Sequence, residues 1–477
     1  MMTSDICLMT GSEQARLIRE RKISSKEVVQ AMLNKIEEIN PKVNAYCTLS
    51  KSAIDDAERA DHMLSKGTLL GPLHGVPVSI KDLIESKGLK TTFGSSIYSD
   101  YVSKEDDVVV ERLRQAGAII IGKTNTPEFG YNGVTYNSVF GTTRNPWNLE
   151  RTPGGSSGGA AASVVANMGS LAIGSDGGGS IRIPSSFCGI YGIKPTFGRV
   201  PLFPGCRVPE KPGASSWESL ECIGPMTKTV EDSALVLSII VGEDIRDRHS
   251  LPSQSINYLD ALKGDIEGLK IAWTPDWGYA SVDHEVRAIT KRAVSVFNDE
   301  LGCKVEEVNF NLDNIGNTFW TIVANNTDLK GLRTIRKKNS GALSDSLEDI
   351  LEMNWSAEDI TSARMERQYL YNKMRMFMER YDLILTPTTP CVAFELGSDF
   401  PKKIENNTDI KPFDLIALTS PLNLTGQPAA TVPVGYTEDG LPVGLQIIGR
   451  RLDEMTVLRA SAAFERVRPW YQRTPLN

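Results

Sequence analysis

The chain has no apolar run that could cross a membrane: its longest apolar stretches, such as Ala234 to Val241, fall well short of the ~18 residues a spanning helix needs. The N-terminus MMTSDICLMT has no signal-peptide h-region, so a cytoplasmic location is expected. Cysteine is sparse and unpatterned. Cys7, Cys47, Cys188, Cys206, Cys222, Cys303 and Cys391 are odd in number, widely spaced and without a CxxC pair, which argues against a disulfide framework or a zinc site and for free thiols. Only four histidines occur, His62, His74, His249 and His284, none in HExxH or another ligand spacing, so no metal is expected. Basic excess is also missing. A formal net charge of −7 disfavours nucleic acid or an anionic membrane as partner and leaves a neutral small molecule as the better fit. Tandem repeats and low-complexity tails are absent.

What is present is a long α/β pattern. At 477 residues, length alone suggests about three domains of ~150 residues, a prior that large α/β enzymes often break. The segment from Ser12 to Lys66 reads as helical, with Ser24 or Ser25 capping before Glu27, Val28, Val29, Met32, Leu33 and Ile36 near one face, and Pro41 as the stop. A charged helix follows over Ser52 to Leu64. In LHGVPVSIKDLIE, Val76, Val78 and Ile80 alternate as in a strand and deliver Lys81 at its end, while His74 reads as a turn or core histidine. Further helices are expected over Asp107–Ala116, Glu231–Val241, His284–Leu301 and Glu454–Glu465, and strands over Leu269–Trp273, Val305–Val308 and Leu383–Pro387. Residues 312–380 read as mostly helical, with Met365, Tyr369, Tyr371, Met374 and Phe377 expected in the core. The hydrophilic connector from Gly242 to Ser255 is the one plausible seam. The interleaving of strands and helices argues an α/β class with a largely buried sheet flanked by helices.

Three motif matches need their mechanics checked. Gly117 to Thr124 (GAIIIGKT) fits the phosphate-loop pattern, but Ile119, Ile120 and Ile121 make the inter-glycine segment itself the strand, and Pro127 falls where the helix should run. GGSSG fits the nucleophile-elbow pattern with His249 or His284 downstream, but the preceding NPWNLERTP is no strand. The stretch from Gly154 to Pro184 has the glycine and serine of a flexible linker, yet its interior AAASVVA and SLAIG can be buried in a core. Asn125 to Trp147, rich in Gly, Asn and aromatics, reads as a packed connector or a pocket wall.

GVPVSIKD with Lys81, TRNPWNLERTPGGSSGG with Ser156, GSDGGGSIRIP with Ser180, and YGIKPTFGRV directly after stand in the order and spacing of the amidase signature family, which the chain resembles. YDLILTPTTP and NLTGQPAATVPVGY near the C-terminus are similar too, and residues 245–375 are constrained least. The resemblance implies a large mixed, mostly parallel central β-sheet flanked by helices, and one catalytic domain over residues 1–477. It implies Ser180 as nucleophile, Ser156 as a bridge held by a cis Gly155–Ser156 peptide, and Lys81 as the base. It further implies an oxyanion hole of the backbone amides of Gly177, Gly178, Gly179 and Ser180, each such donor being worth ~2.7–4 kcal/mol in the transition state. Substrate contacts would come from Gly130, Tyr131 and Asn132 and from the middle region, giving an aromatic-lined acyl pocket with one polar contact.

The chemistry of the residue types agrees. A serine is a weak nucleophile until a base takes its proton, and a lysine serves as that base only if burial lowers its pKa from ~10.4. Asp82 follows Lys81 but points to the opposite face of a strand. Where many family members carry Thr or Ile, this chain has Gly177, which is expected to loosen the loop or widen the site. The resemblance implies an amidase acting on a small carboxylic amide through an acyl-enzyme, with esters and carbamates open to the same chemistry, no cofactor, and a homodimer allowed. The alternatives are the glutaminase subunit of a tRNA-dependent amidotransferase, whose glutamine-binding segment is not found in residues 320–380, and a non-catalytic binding protein, which the full set of relay residues disfavours.

Overall fold

The computed structural model describes every residue except 1–2, 206–210, 215–216, 255, 313–314, 340 and 477. Cys206 and Ser255, at the end of the Gly242–Ser255 connector, therefore lie outside the described residues. In chain order the strands are β1 (Tyr46–Leu49), β2 (Pro77–Lys81), β3 (Ile119–Thr124), a short hairpin of β4 (Tyr136–Asn137) and β5 (Gly141–Thr142), β6 (Leu171–Asp176), β7 (Tyr191–Lys194), β8 (Cys222–Thr227), β9 (Lys270–Trp273), β10 (Lys304–Glu307), β11 (Leu383–Pro387), β12 (Ala429–Tyr436) and β13 (Pro442–Gly449). All but the hairpin join one 11-stranded sheet in the order β1-β3-β2-β6-β8-β7-β12-β13-β11-β9-β10.

The sheet is mixed and flanked by helices, as expected, but it is not mostly parallel. Parallel pairing is confined to β3-β2-β6 near one edge and β11-β9-β10 at the other. Between them β6-β8-β7-β12-β13-β11 run antiparallel throughout, and β1 adds antiparallel at the first edge. The resemblance implied a mostly parallel sheet, which helical crossovers would build. β12 and β13 are instead joined directly by the turn at Thr437–Leu441, and a short turn can join only antiparallel neighbours.

Both faces are covered. Successive residues of β11 and β13 point to opposite sides, so Leu383, Leu385 and Ile447 enter one hydrophobic core while Ile384 and Ile448 enter the other. The first core also receives Val28, Met32 and Ile36 from the Ser25–Val43 helix, and the second is filled largely from residues 277–424. The connector at residues 242–251 is stitched onto the body: Gly242 N donates to Arg199 O (3.1 Å) and Leu251 N to Gly198 O (2.8 Å).

Ser24 caps the Ser25–Val43 helix in a reciprocal box with Glu27. Pro41 does not stop it. The proline lies in the last turn, where its missing N–H costs one bond, and the helix ends at Asn44 in the left-handed region (φ 56°). The Ala357–Met378 helix corrects another expectation. It buries only Ala363, Leu370, Met374 and Met378, while Met365 (72%) and Tyr369 (65%) face solvent. Those four fall on one narrow line along the helix, at the spacing of whole turns, so the body touches it along a single edge.

Candidate active site

The site forms at the C-terminal ends of the parallel neighbours β2 and β6, where loops leave a rigid sheet. All five β2 positions are buried, so its alternating valines and isoleucine reflect a strand covered on both faces. Lys81 ends β2 fully buried, with Nζ 2.6 Å from Ser156 Oγ, 3.1 Å from Ser175 Oγ and 3.4 Å from Ser175 O. Burial lowers its pKa, against the opposing pull of Glu221 and Asp176, to about 7. Asp82 does face away. Its Oδ2 accepts from Thr92 N (3.1 Å) and Thr92 Oγ1 (2.6 Å), and Oδ1 lies 3.7 Å from Lys123 Nζ. Lys123, the lysine of the phosphate-loop look-alike, is buried in β3 and bonded to Ile84 O and Thr91 Oγ1, so its role is structural. His74 is likewise structural, its ring placed between Leu70 N (3.2 Å) and Ala60 O (3.0 Å).

Ser156 sits just before the Gly158–Val165 helix, and the Gly155–Ser156 peptide is cis. Glycine is required at 155, because a Cβ there would lie 2.7 Å from Val134 O. The second serine of the pair is a tie. Ser157 N donates to Ser180 O (3.2 Å), and Ser157 Oγ donates to Ser175 O (3.2 Å). This clamps the segment bearing Ser156 to the loop bearing Ser180. Ser180 Oγ has no hydrogen bond to a described residue, and Ser180 lines both a small inner cavity that Ser156 also lines and a larger outer cleft.

The loop Gly177–Ser180 hangs from a buried ion pair missed in the sequence. Arg182 Nε and Nη2 grip the two oxygens of Asp176 at 2.9 and 2.8 Å, and the same guanidinium donates to Thr419 O, Gln446 Oε1 and Asn423 Oδ1. Burial would push the Asp176 carboxyl up, but the charge and hydrogen bonds of Arg182 hold it well below the usual carboxylate range. Asp176 Oδ1 also accepts the Gly179 amide at 2.8 Å. The Gly179 N–H, expected among the oxyanion donors, is thus bonded to Asp176. The signal for this pair was a lone Asp and a lone Arg inside the otherwise small and apolar GSDGGGSIRIP.

Gly177 does not widen the site. A Cβ at 177 would lie 2.5 Å from Trp217 Cε3, so the indole fills the space a larger residue would take. Trp217 packs edge-on against Tyr131 (ring centroids 4.9 Å) and Phe319 (6.3 Å). Nothing in the irregular sequence around Trp217 marked it.

The expected contact residues line the outer cleft, a cavity of about 540 Å³ that reaches Ser180. Gly130 (φ +80°) packs close beside Ser156, a Cβ there falling 2.8 Å from Leu83 Cδ1. Tyr131 OH pairs with Thr327 Oγ1 (2.8 Å), and Asn132 Nδ2 donates to Ser346 Oγ (3.1 Å). The middle region contributes Phe319, Trp320 and Met353 to the wall. Asn317, Asp349, Asp399 and Lys411 also line this cleft. Among the described residues no group of three or more His, Cys, Asp or Glu is placed to hold a metal ion, and no helix is long and apolar enough to cross a membrane.

Comparison with known proteins gives the same direction. A family model described as Amidase matches residues 27–458. An acylamidase of Rhodococcus erythropolis is 37% identical over 100% of this chain and 99% of its own. A glutamyl-tRNA(Gln) amidotransferase subunit from Geobacillus kaustophilus (strain HTA426) is 38% identical over 98% of both chains. The crystal structure of a bacterial aryl acylamidase of the amidase signature enzymes matches with a TM-score of 0.88 at 32% identity, covering 97% of each chain. With a family match over nearly the whole length and a buried lysine set against the serine of GGSSGG, the chain belongs to the amidase signature family of hydrolases acting on carbon–nitrogen amide bonds.

Proposed function

We propose that the chain, acting as one catalytic domain, hydrolyses a small carboxylic amide through a Lys81–Ser156–Ser180 relay and an acyl-enzyme. The observation that carries this reading is the 2.6 Å contact between Lys81 Nζ and Ser156 Oγ in a fully buried setting that lowers the lysine pKa to about 7. Neutral Lys81 takes the proton of Ser156 as Ser156 takes that of Ser180, and Ser180 Oγ bonds to the amide carbon. The negative carbonyl oxygen is met by the amides of Gly177, Gly178 and Ser180. Collapse breaks the C–N bond, the relay returns its proton through Ser156 to the leaving nitrogen, and Ser180 is left as an ester. Water, deprotonated by the same relay, then attacks the ester carbon, releasing the acid and restoring Ser180. Esters and carbamates present the same carbonyl and follow the same steps.

The test is Ser180→Ala, expected to lower amide turnover by roughly 10³-fold or more while the melting temperature is kept. Wild-type-like turnover in that variant would sink the reading. The glutaminase-subunit reading keeps a specific support in the amidotransferase relatives. It predicts glutamine cleavage only when partner subunits are added, whereas the amidase reading predicts turnover of small amides by the isolated chain. The apolar face that Phe319, Trp320 and Met353 present to the cleft favours the latter.

A further inference from the structure

Two chambers meet at Ser180, and they differ in size and charge. The outer one is the 540 Å³ cleft with the rings of Tyr131, Trp217, Phe319 and Phe413 on its walls. The inner one is a cavity of about 40 Å³ that touches Ser156 and Ser175 and is bounded by Leu83, Phe129 and Leu202. Ser180, Gly130 and Trp217 border both and form the neck, whereas Ser156 borders the inner chamber alone.

Among the described residues, three carboxylates reach the inner wall: Glu85, Asp107 and Glu221. Glu85 is ion-paired with Lys211 and accepts from Tyr101 OH (2.9 Å). Asp107 caps the Val108–Gln115 helix through Val109 N (2.9 Å), and burial pushes its carboxyl up toward the neutral form. Glu221 has no hydrogen bond or ion pair from its side chain to a described residue, and its charge is felt at Lys81.

We infer that the chain takes primary amides of bulky, ring-bearing acids, with the acyl group in the outer cleft and ammonia leaving into the inner chamber. This rests on the proposed Ser180 acyl-enzyme. The nitrogen must receive its proton from Ser156 as the C–N bond breaks, and among the described residues Ser156 borders the inner chamber and not the outer cleft. A single water needs roughly 10–15 Å³ of such space, so the inner chamber holds ammonia and a neighbour or two but not an aromatic amine. Glu221 favours an amine that leaves as a cation and repels a carboxylate product. The reverse orientation, a small acyl group inside and a large amine outside, sets the product acid against that charge. The orientation thus separates this chain from a hydrolase of anilides.

Phenylacetamide and acetanilide test it, because these isomers carry the ring on the acyl side and on the amine side of the amide bond, respectively. With the isolated chain, kcat/KM is expected to be at least ~100-fold higher for phenylacetamide. Equal or faster cleavage of acetanilide would overturn the orientation while leaving the hydrolase intact. Failure to turn over any primary or substituted amide overturns both readings. Leu202→Ala, which enlarges the inner chamber, is expected to raise kcat/KM for N-methylphenylacetamide relative to phenylacetamide by ~10-fold. An unchanged ratio in a variant with native melting behaviour would refute the size argument.

Discussion

At the scale of the residue, the chemistry turns on a lysine whose charge is held near balance. Lys81 must be neutral to take a proton, and burial brings its pKa to about 7 although Glu221 and Asp176 pull the other way. Amide kcat/KM is therefore expected to rise through pH 7 and level off above it. Glu221→Gln removes a charge that favours the lysine cation, so the rising limb should move to lower pH; a limb that stays in place would show that Glu221 is not felt at Nζ. A buried lysine that is neutral when folded but charged when unfolded destabilises the fold between about pH 7 and pH 10 and less so as pH rises. Lys81→Met should accordingly abolish turnover while keeping or raising the melting temperature at pH 7, measured by calorimetry. The position of Lys81 at a strand end was readable from the spacing of Val76, Val78 and Ile80. Ser175, its second partner, was not, because a serine inside a buried strand has no signature that distinguishes it from packing.

At the scale of the element, the site depends on one loop and one small-residue helix. The Gly177–Ser180 loop takes its shape from the Asp176–Arg182 pair, which satisfies the Gly179 amide and ties the loop to Thr419, Asn423 and Gln446. Removing one member of a fully buried pair leaves an uncompensated charge, so Arg182→Ala is expected to cost about 3–5 kcal/mol in chemical denaturation. A loss below about 1 kcal/mol would mean that the loop is held elsewhere. The Gly158–Val165 helix lies close against the end of β3, with a Cβ at Gly159 falling 2.4 Å from Asn125 N. Gly159→Ala should lower stability by ~1–3 kcal/mol through overpacking, seen as a lower melting temperature. That AAASVVA would be buried was legible from its composition. That Gly177 would be filled from outside by Trp217 was not, since the two residues lie far apart in sequence and meet only in the fold.

At the scale of the whole molecule, the sheet divides labour between its two parallel patches and its antiparallel centre. The patch β3-β2-β6 presents Lys81 and the Ser180 loop at one end, and the centre carries β12 and β13, whose Gln446 braces Arg182 from across the sheet. Element types and most boundaries followed from hydrophobic periodicity, because strands such as Leu383–Pro387 are short apolar runs between clear breaks. Strand direction did not, since neither composition nor periodicity records whether a connection crosses over or turns back. The same limit explains Met365 and Tyr369, whose apolar character is visible in the sequence while the line along which their helix touches the body is not. The relay needs no ion, so EDTA should leave kcat unchanged, and loss of turnover restored by added metal would count against it.

The central claim is that Ser180 carries the acyl group. Mass spectrometry of the enzyme quenched during turnover of phenylacetamide should find a phenylacetyl adduct on the peptide containing Ser180, and no adduct in Ser180→Ala. An adduct on a different residue, or continued turnover in Ser180→Ala, would contradict the account.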